Sequence, residues 1–191
     1  MTYTNEQVQE IIRCKDDPVY FIENYVKTVC PHRGKIPMKL YPNQKETIGS
    51  YHYNRCSTIR EDRQKGVTQS LVAYLCWWVV FNGGKTSIVM SHRQRAAIEI
   101  LNRVMFAYDN LPEHFKKGLI HRNKTSIQFE DDTALLASAP NLSSIRGRAF
   151  DILMIDNYEY IKRDVVDEIY ESVIPVISAS RTGKFITAST R

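Results

Sequence analysis

From residue 57 onward the sequence alternates short β-rich runs with longer helical ones, and this alternation restricts the fold more than any other feature. Strand-like runs fall at 57–60 (STIR), 87–90 (SIVM), 150–155 (FDILMI) and 184–188 (KFITA), with a hairpin at 126–129 and 134–138 around Asp131-Asp132. Between them lie helical runs at 68–81, 93–108 and 164–173, and a short helix opening at Pro112. The 93–108 run places Ala97, Ile100, Leu101 and Val104 on one face, at the helical period. Strands joined through helices of this length form βαβ units. The pattern therefore predicts an α/β fold, with a mostly parallel central sheet flanked by helices. Ligands of such sheets sit at the carboxyl ends of the strands. The loops after residues 60, 90, 138, 156 and 188 are where chemistry is expected.

Residues 1–56 read differently, as a helical segment preceding a core at 57–191. Thr4 and Gln7 have capping-box spacing ahead of Val8, Ile11 and Ile12. Asp17-Pro18 opens a second helix, with an apolar stripe of Val19, Phe21, Ile22, Tyr25, Val26 and Val29. Residues 30–40 (CPHRGKIPMKL) read as loop, and Tyr41-Pro42-Asn43-Gln44 opens a third short helix. The longest apolar run, 71–81 (LVAYLCWWVVF), falls short of the ~18 residues a membrane span needs and suits a buried helix. The polar start, MTYTNEQVQE, has no secretory pattern. Cysteines at 14, 30, 56 and 76 make no C-x-x-C pair, so free thiols are expected rather than a zinc site or a disulfide framework. The formal charge of +5 admits an anionic partner such as nucleic acid or nucleotide.

Two loops compete as phosphate binders. Gly83-Gly84-Lys85-Thr86-Ser87 matches the tail of a phosphate-loop pattern, but a helix precedes it and a strand follows. A phosphate loop must leave a strand and enter a helix, so that free N–H groups at the helix start face the anion. The Gly pair is therefore read as a helix stop. The stretch 60–68 (REDRQKGVT) has the required order: strand, polar loop, Gly66, helix. Backbone N–H groups of residues 65–68 could cradle phosphate oxygens, and the Thr68 hydroxyl is placed to reach a phosphate-bound Mg2+. Val67 stands where the loop lysine belongs, with Arg60, Arg63 and Lys65 as cations on the approach.

A second half of such a site is an acid closing a neighbouring buried strand, and Asp156 closes 150–156 (FDILMID). Its carboxylate would order a metal-bound water. The next residue, where a general base is needed, is Asn157, which cannot take a proton; Glu159 lies two further on.

The order of these segments resembles the N-terminal ATPase region of the large terminase subunit of tailed bacteriophages, a P-loop NTPase of the kind with an extra strand beside the phosphate-loop strand. Asp17 to Ile22 (DPVYFI) looks like that family's helical opening, and 40–44 (LYPNQ) like its adenine-recognition segment. The stretch 62–68 (DRQKGVT) looks like its Arg-Gln-x-Gly-Lys-Thr loop. Leu111-Pro112 and 124–129 fit the stretch before its hairpin, 143–147 (SSIRG) its Arg-Gly segment, 152–157 its Asp-Glu strand and 186–190 (ITAST) its coupling motif.

The resemblance implies ATP and Mg2+ as cofactors, with Gln44 reading the adenine edge and Arg63 acting as arginine finger on the γ-phosphate. Gln64, Lys65, Gly66 and Thr68 would hold phosphate, and Thr68 and Asp156 the metal. Asp156 and Asn157 occupy the catalytic acid positions, and Thr187, Ser189 and Thr190 the nucleotide-sensing ones. It also implies double-stranded DNA, a portal and a small terminase subunit as partners, self-association as a further possibility, and the cytoplasm of an infected bacterium as location. The family continues into a lid and a nuclease domain, which these 191 residues do not contain, so no nuclease site is assigned. Val67 and Asn157 depart from the family pattern and imply weak or lost hydrolysis. The alternatives are a catalytically inactive nucleotide-binding relative and, with less support, a helicase-type motor. For DNA, Arg93, Arg95, Arg103, Lys116, Lys117, His121, Arg122 and Lys124 offer cations that a solvated helix face explains just as well, and Tyr51, His52 and Tyr53 offer rings for an adenine or a base, although core or surface packing is the better reading of them.

Overall fold

A computed structural model describes residues 4–30, 32–141, 145, 147 and 149–190. Its helices are α1 (Asn5–Asp16), α2 (Pro18–Tyr25), α3 (Pro42–Tyr53), α4 (Val67–Phe81), α5 (Gln94–Asp109) and α6 (Arg163–Ala179). Its strands are β1 (Lys27–Cys30), β2 (Gly34–Pro37), β3 (Cys56–Glu61), β4 (Thr86–Ser91), β5 (Leu119–Arg122), β6 (Ser126–Phe129), β7 (Ala134–Ser138), β8 (Ile152–Asp156) and β9 (Lys184–Thr190). Among the described residues, seven strands make one sheet in the order β3-β9-β8-β4-β7-β6-β5. The five from β3 to β7 are parallel, and β6 and β5 extend the sheet antiparallel.

The alternation along β8 explains the three layers. Ile152 and Met154 join an apolar cluster with α4 and α5, while Leu153 and Ile155 join a second with Ile169, Val173 and Ile177 of α6. A strand covered on both faces needs apolar residues at every position, hence the unbroken ILMI. Helix α4 is apolar all round and buried along nearly its whole length. Two of its side-chain donors are anchored to neighbouring helices: Trp77 Nε1 donates to Cys14 O at 2.9 Å and Tyr74 Oη to Tyr51 O at 3.2 Å. It stops at Asn82, and Gly84 turns the chain at φ +68° into β4. Lys85 of the rejected loop pairs with Asp151 at 2.8 Å, which ties the start of β4 to the start of β8. No helix among the described residues is long and apolar enough to cross a membrane, and all four cysteines are free.

Three sequence expectations need correction. Helix α2 ends at Tyr25, and the stretch read as helix end and loop is a β1–β2 hairpin. Val26, Thr28 and Val29 are β-branched and fit either period, and Gly34 at φ +67° supplies the reversal. Val29, placed on an apolar stripe, is 59% exposed. Second, β5 is a strand that the polar LIHR run did not announce. Third, α6 runs past 173 and through Pro175 to Ala179. Burial of Ile177 offsets the hydrogen bond that Pro removes, and Arg55 takes the carbonyls of Ile177 and Ser180 at the helix end.

Candidate nucleotide site

Register places the site. Arg60 pairs with Ser189, Ala188 with Asp156, and Asp156 with Ser91, so the carboxyl ends of β3, β9, β8 and β4 finish level. Strand β9 lies between the strand that feeds the 62–66 loop and the strand that ends on Asp156.

The loop is held in a strained form. Gln64 and Gly66 have φ of +67° and +77°, both left-handed. The φ of Gly66 favours glycine, and a Cβ there would lie 2.2 Å from Gln44 Nε2, so the end of that side chain would have to move. The start of α3 clamps the loop. Gln44 Nε2 donates to Gly66 O at 3.3 Å, its Oε1 accepts from the Tyr41 N–H at 3.0 Å, and Asn43 Nδ2 donates to Lys65 O at 3.3 Å. The first N–H groups of α4 have no acceptor within the helix, and its positive dipole end faces the loop.

Across this gap Thr68 Oγ1 donates to Asp156 Oδ1 at 3.0 Å. Asn157, in the left-handed region at φ +56°, turns back so that its Nδ2 donates to Asp156 Oδ2 at 2.8 Å. Asp156 is 3% exposed. Burial, with a smaller push from the Glu159 charge, raises its carboxyl to about 6, against the hydrogen bond from Thr68 and the charge of Arg103. A hydroxyl and a carboxylate in contact are a hard-oxygen pair that suits Mg2+, which takes its remaining ligands from phosphate and water.

The remaining expected residues lie around this pair. Arg63 is exposed, and its Nη2 donates to Tyr160 Oη at 2.8 Å. Lys65 is exposed on the loop. Val67 is 4% exposed and belongs to the apolar core. Thr187 Oγ1 donates to Thr58 Oγ1 on β3 at 3.1 Å, and Ser189 Oγ is buried with no partner among the described residues. Glu159 points to β9, where its Oε1 accepts from Thr190 N–H at 3.2 Å and from Thr190 Oγ1 at 3.3 Å.

Sequence reasoning gave no role to Tyr160, which is exposed, and none of its own to Asn43, which is part-buried. Tyr51 is fully buried. Several cations offered for DNA are spent elsewhere: the Arg103 guanidinium is half-buried on Gln69 Oε1, Lys117 pairs with Asp131, Lys116 with Glu113 and Arg122 with Asp109. Arg93 and Arg95 remain exposed. Of the 143–147 segment, residues 143, 144 and 146 lie outside the described residues.

No protein-family model matches the sequence. Solved structures do match the fold. The large terminase of bacteriophage HK97 superposes with a TM-score of 0.72 at 16% identity, over 93% of this chain and 38% of that one. The fold is that of the large-terminase ATPase domain. The large-terminase ATPase domain of Thermus phage P74-26 gives a TM-score of 0.60 at 15% identity, over 80% of this chain and 70% of that one. A large terminase from a thermophilic bacteriophage, in complex with ATP-gamma-S, gives 0.58 at 10% identity, over 79% of this chain and 38% of that one. The terminase fold thus spans nearly the whole chain, while the chain spans 38% of the HK97 protein's length.

Proposed function

We propose that this chain is a nucleotide-binding motor domain of terminase type, which binds ATP with Mg2+ and couples it to movement of double-stranded viral DNA, with slow hydrolysis. The observation that supports this most is the Thr68–Asp156 bond, which joins the phosphate-loop helix to the acidic strand across β9. The solved relative bound to ATP-gamma-S supports a nucleotide as ligand.

In this reading the N–H groups of residues 65–68 receive the phosphates, with Gln64, Lys65 and Gly66 forming the cradle. Thr68 and Asp156 would hold Mg2+, which when bound neutralises phosphate charge and orders a water. The base lies in the adjoining cleft of about 510 Å3, walled by Thr28, Arg33, Met38, Tyr41, Gln44 and Gln69. Gln44 reads the adenine edge after giving up its bond to Tyr41 or Gly66. Arg63 leaves Tyr160 to reach the γ-phosphate. Thr187, Ser189 and Thr190 pass the nucleotide state along β9, with Glu159 linking Thr190 to the acidic turn.

Slow hydrolysis follows from two residues. Asn157 cannot accept the proton of an attacking water, and loss of a general base costs ~10²–10⁴-fold in rate. Val67 is too short and too buried to place a charge on the phosphates. A titration with Mg2+ and ATP beside a steady-state rate measurement tests the reading. It expects binding with little turnover. Binding with no turnover at all supports the catalytically inactive relative, and no binding removes both. Portal, small terminase subunit and further copies of the chain are the partners this reading proposes.

A further inference from the structure

The net charge of the chain sits in one segment. Between Glu23 and Glu46 the sequence has five Lys and Arg (Lys27, Arg33, Lys35, Lys39 and Lys45) and no Asp or Glu. The formal charge of +5 is therefore carried here, and the rest of the chain is balanced. The segment folds as the β1–β2 hairpin and the start of α3, and the hairpin is a two-stranded sheet separate from the main one. Glu23 neutralises Lys45 at 2.8 Å. Lys27, Arg33, Lys35 and Lys39 are exposed and form no ion pair among the described residues.

Strand alternation sorts the hairpin into two faces. The register pairs Lys27 with Pro37 and Val29 with Lys35, and all four are exposed. Thr28 and Ile36, paired between them, fall on the other face and are half-buried. That inner face is tied down: Gln69 Nε2 of α4 donates to Thr28 Oγ1 at 3.1 Å. The root is tied as well, where the Met38 N–H donates to Val26 O at 2.9 Å and both side chains are buried. The outer face is left to solvent on a fixed base. On the α5 side, Glu99 shares a cavity with Thr28, Val29 and Arg103, and its charge acts on Arg103. Arg95, one helical turn before Glu99, adds an exposed cation there.

Composition decides between the anionic partners such a face could meet. Protein interfaces have apolar cores from which lysine is depleted. Here lysine dominates, and the apolar members of the outer face are Val29 and Pro37. An ammonium acts as a point charge on phosphate, and phosphate contacts hold a duplex without reading its sequence. A two-stranded ribbon also has a width that the major groove of B-DNA admits.

We propose that the outer face of the β1–β2 hairpin holds double-stranded DNA, with Lys27, Arg33, Lys35 and Lys39 on backbone phosphates and no base readout. The inference rests on the motor reading above and gives it the surface along which DNA lies. Arg33 and Lys39 also line the base cleft, so DNA on this face lies beside the nucleotide.

The test measures binding of a fluorophore-labelled duplex of random sequence to the whole chain by anisotropy, across a range of salt concentrations. The variant carries Lys27→Gln with Lys35→Gln, two exposed residues outside the cleft lining. Its thermal melt matches the parent. Its slope of log affinity against log salt is shallower by about 2, and its affinity at low salt falls roughly tenfold to a hundredfold. The control carries Lys124→Gln with Arg181→Gln, the same charge change at two other exposed positions, and keeps the parent slope. An unchanged slope in the hairpin variant, or an equal loss in the control, overturns the proposal and leaves the motor reading standing. A parent that binds no duplex removes DNA from both. Tighter binding of a polyglutamate peptide than of the duplex at matched salt also overturns the proposal, because the occupant is then an acidic protein.

Discussion

Thr68 and Asp156, eighty-eight positions apart, are joined by a hydrogen bond of 3.0 Å from the threonine hydroxyl to a buried carboxylate. The bond closes the gap between the helix after the 62–66 loop and the strand two places from β3 in the sheet. Thr68→Val keeps the shape and removes the donor, leaving Asp156 to Asn157 alone on its side chain. Stability should fall by about 1–3 kcal/mol in urea denaturation, the usual cost of a buried acceptor left unmade. Binding of Mg2+ with ATP should weaken in the same variant.

The Asp156 carboxyl, raised to about 6, makes stability and ligand binding respond to pH in opposite directions. The folded-state pKa lies above the ordinary aspartate value of 3.8, so folding favours the protonated acid. That contribution is complete below about 3.8 and is lost as pH rises through about 6. Asp156→Asn never ionises, so its stability relative to the parent should rise between pH 4 and pH 7, read by denaturation at both ends. Metal-dependent nucleotide binding by the parent should strengthen over the same range, because Mg2+ needs the carboxylate.

Gly66→Ala should weaken nucleotide binding. The added Cβ meets Gln44 Nε2 at 2.2 Å, and the φ of +77° adds about 1–2 kcal/mol for any residue with a Cβ. Gln44→Ala in the same chain removes the clash but not the backbone strain. A double-mutant cycle by thermal unfolding should therefore recover only part of the loss.

Introducing a base at position 157 tests the proposal that turnover is slow for want of one. Asn157→Glu should raise ATP turnover by ~10²–10⁴-fold where the base limits the rate. The left-handed φ of +56° costs glutamate about 1 kcal/mol more than asparagine, which a thermal melt will show. Val67→Lys alone should destabilise the fold, because it drives an ammonium into the apolar core.

The strand–helix order and the closing acid were legible because they depend on local pattern. The ILMI run of β8 is apolar at every position since both faces are covered, and α4 is apolar all round for the same reason. The β1–β2 hairpin was not legible, because Val26-Lys27-Thr28-Val29 satisfies a helical stripe and a strand equally. The approach of Thr68 to Asp156 could be expected from motif order. The parking of Arg63 on Tyr160 and of Glu159 on Thr190 could not, since each depends on how a short 3-10 turn folds back over β9. The burial of Arg103 was hidden because a guanidinium looks the same in sequence whether solvated or set against Gln69.

DNA contact through Arg93 and Arg95, the exposed cations before and at the start of α5, should show a steep salt dependence. Each neutralised phosphate contributes a slope of about −0.9 in log affinity against log salt. Removing both arginines should flatten that slope; an unchanged slope places DNA elsewhere.

The most direct measurement is a crystal structure of the chain soaked with ATP-gamma-S and Mg2+. The account predicts phosphate oxygens against the N–H groups of residues 65–68, with the metal between Thr68 and Asp156. A nucleotide seated elsewhere, or a metal that leaves the Thr68–Asp156 pair untouched, would contradict it.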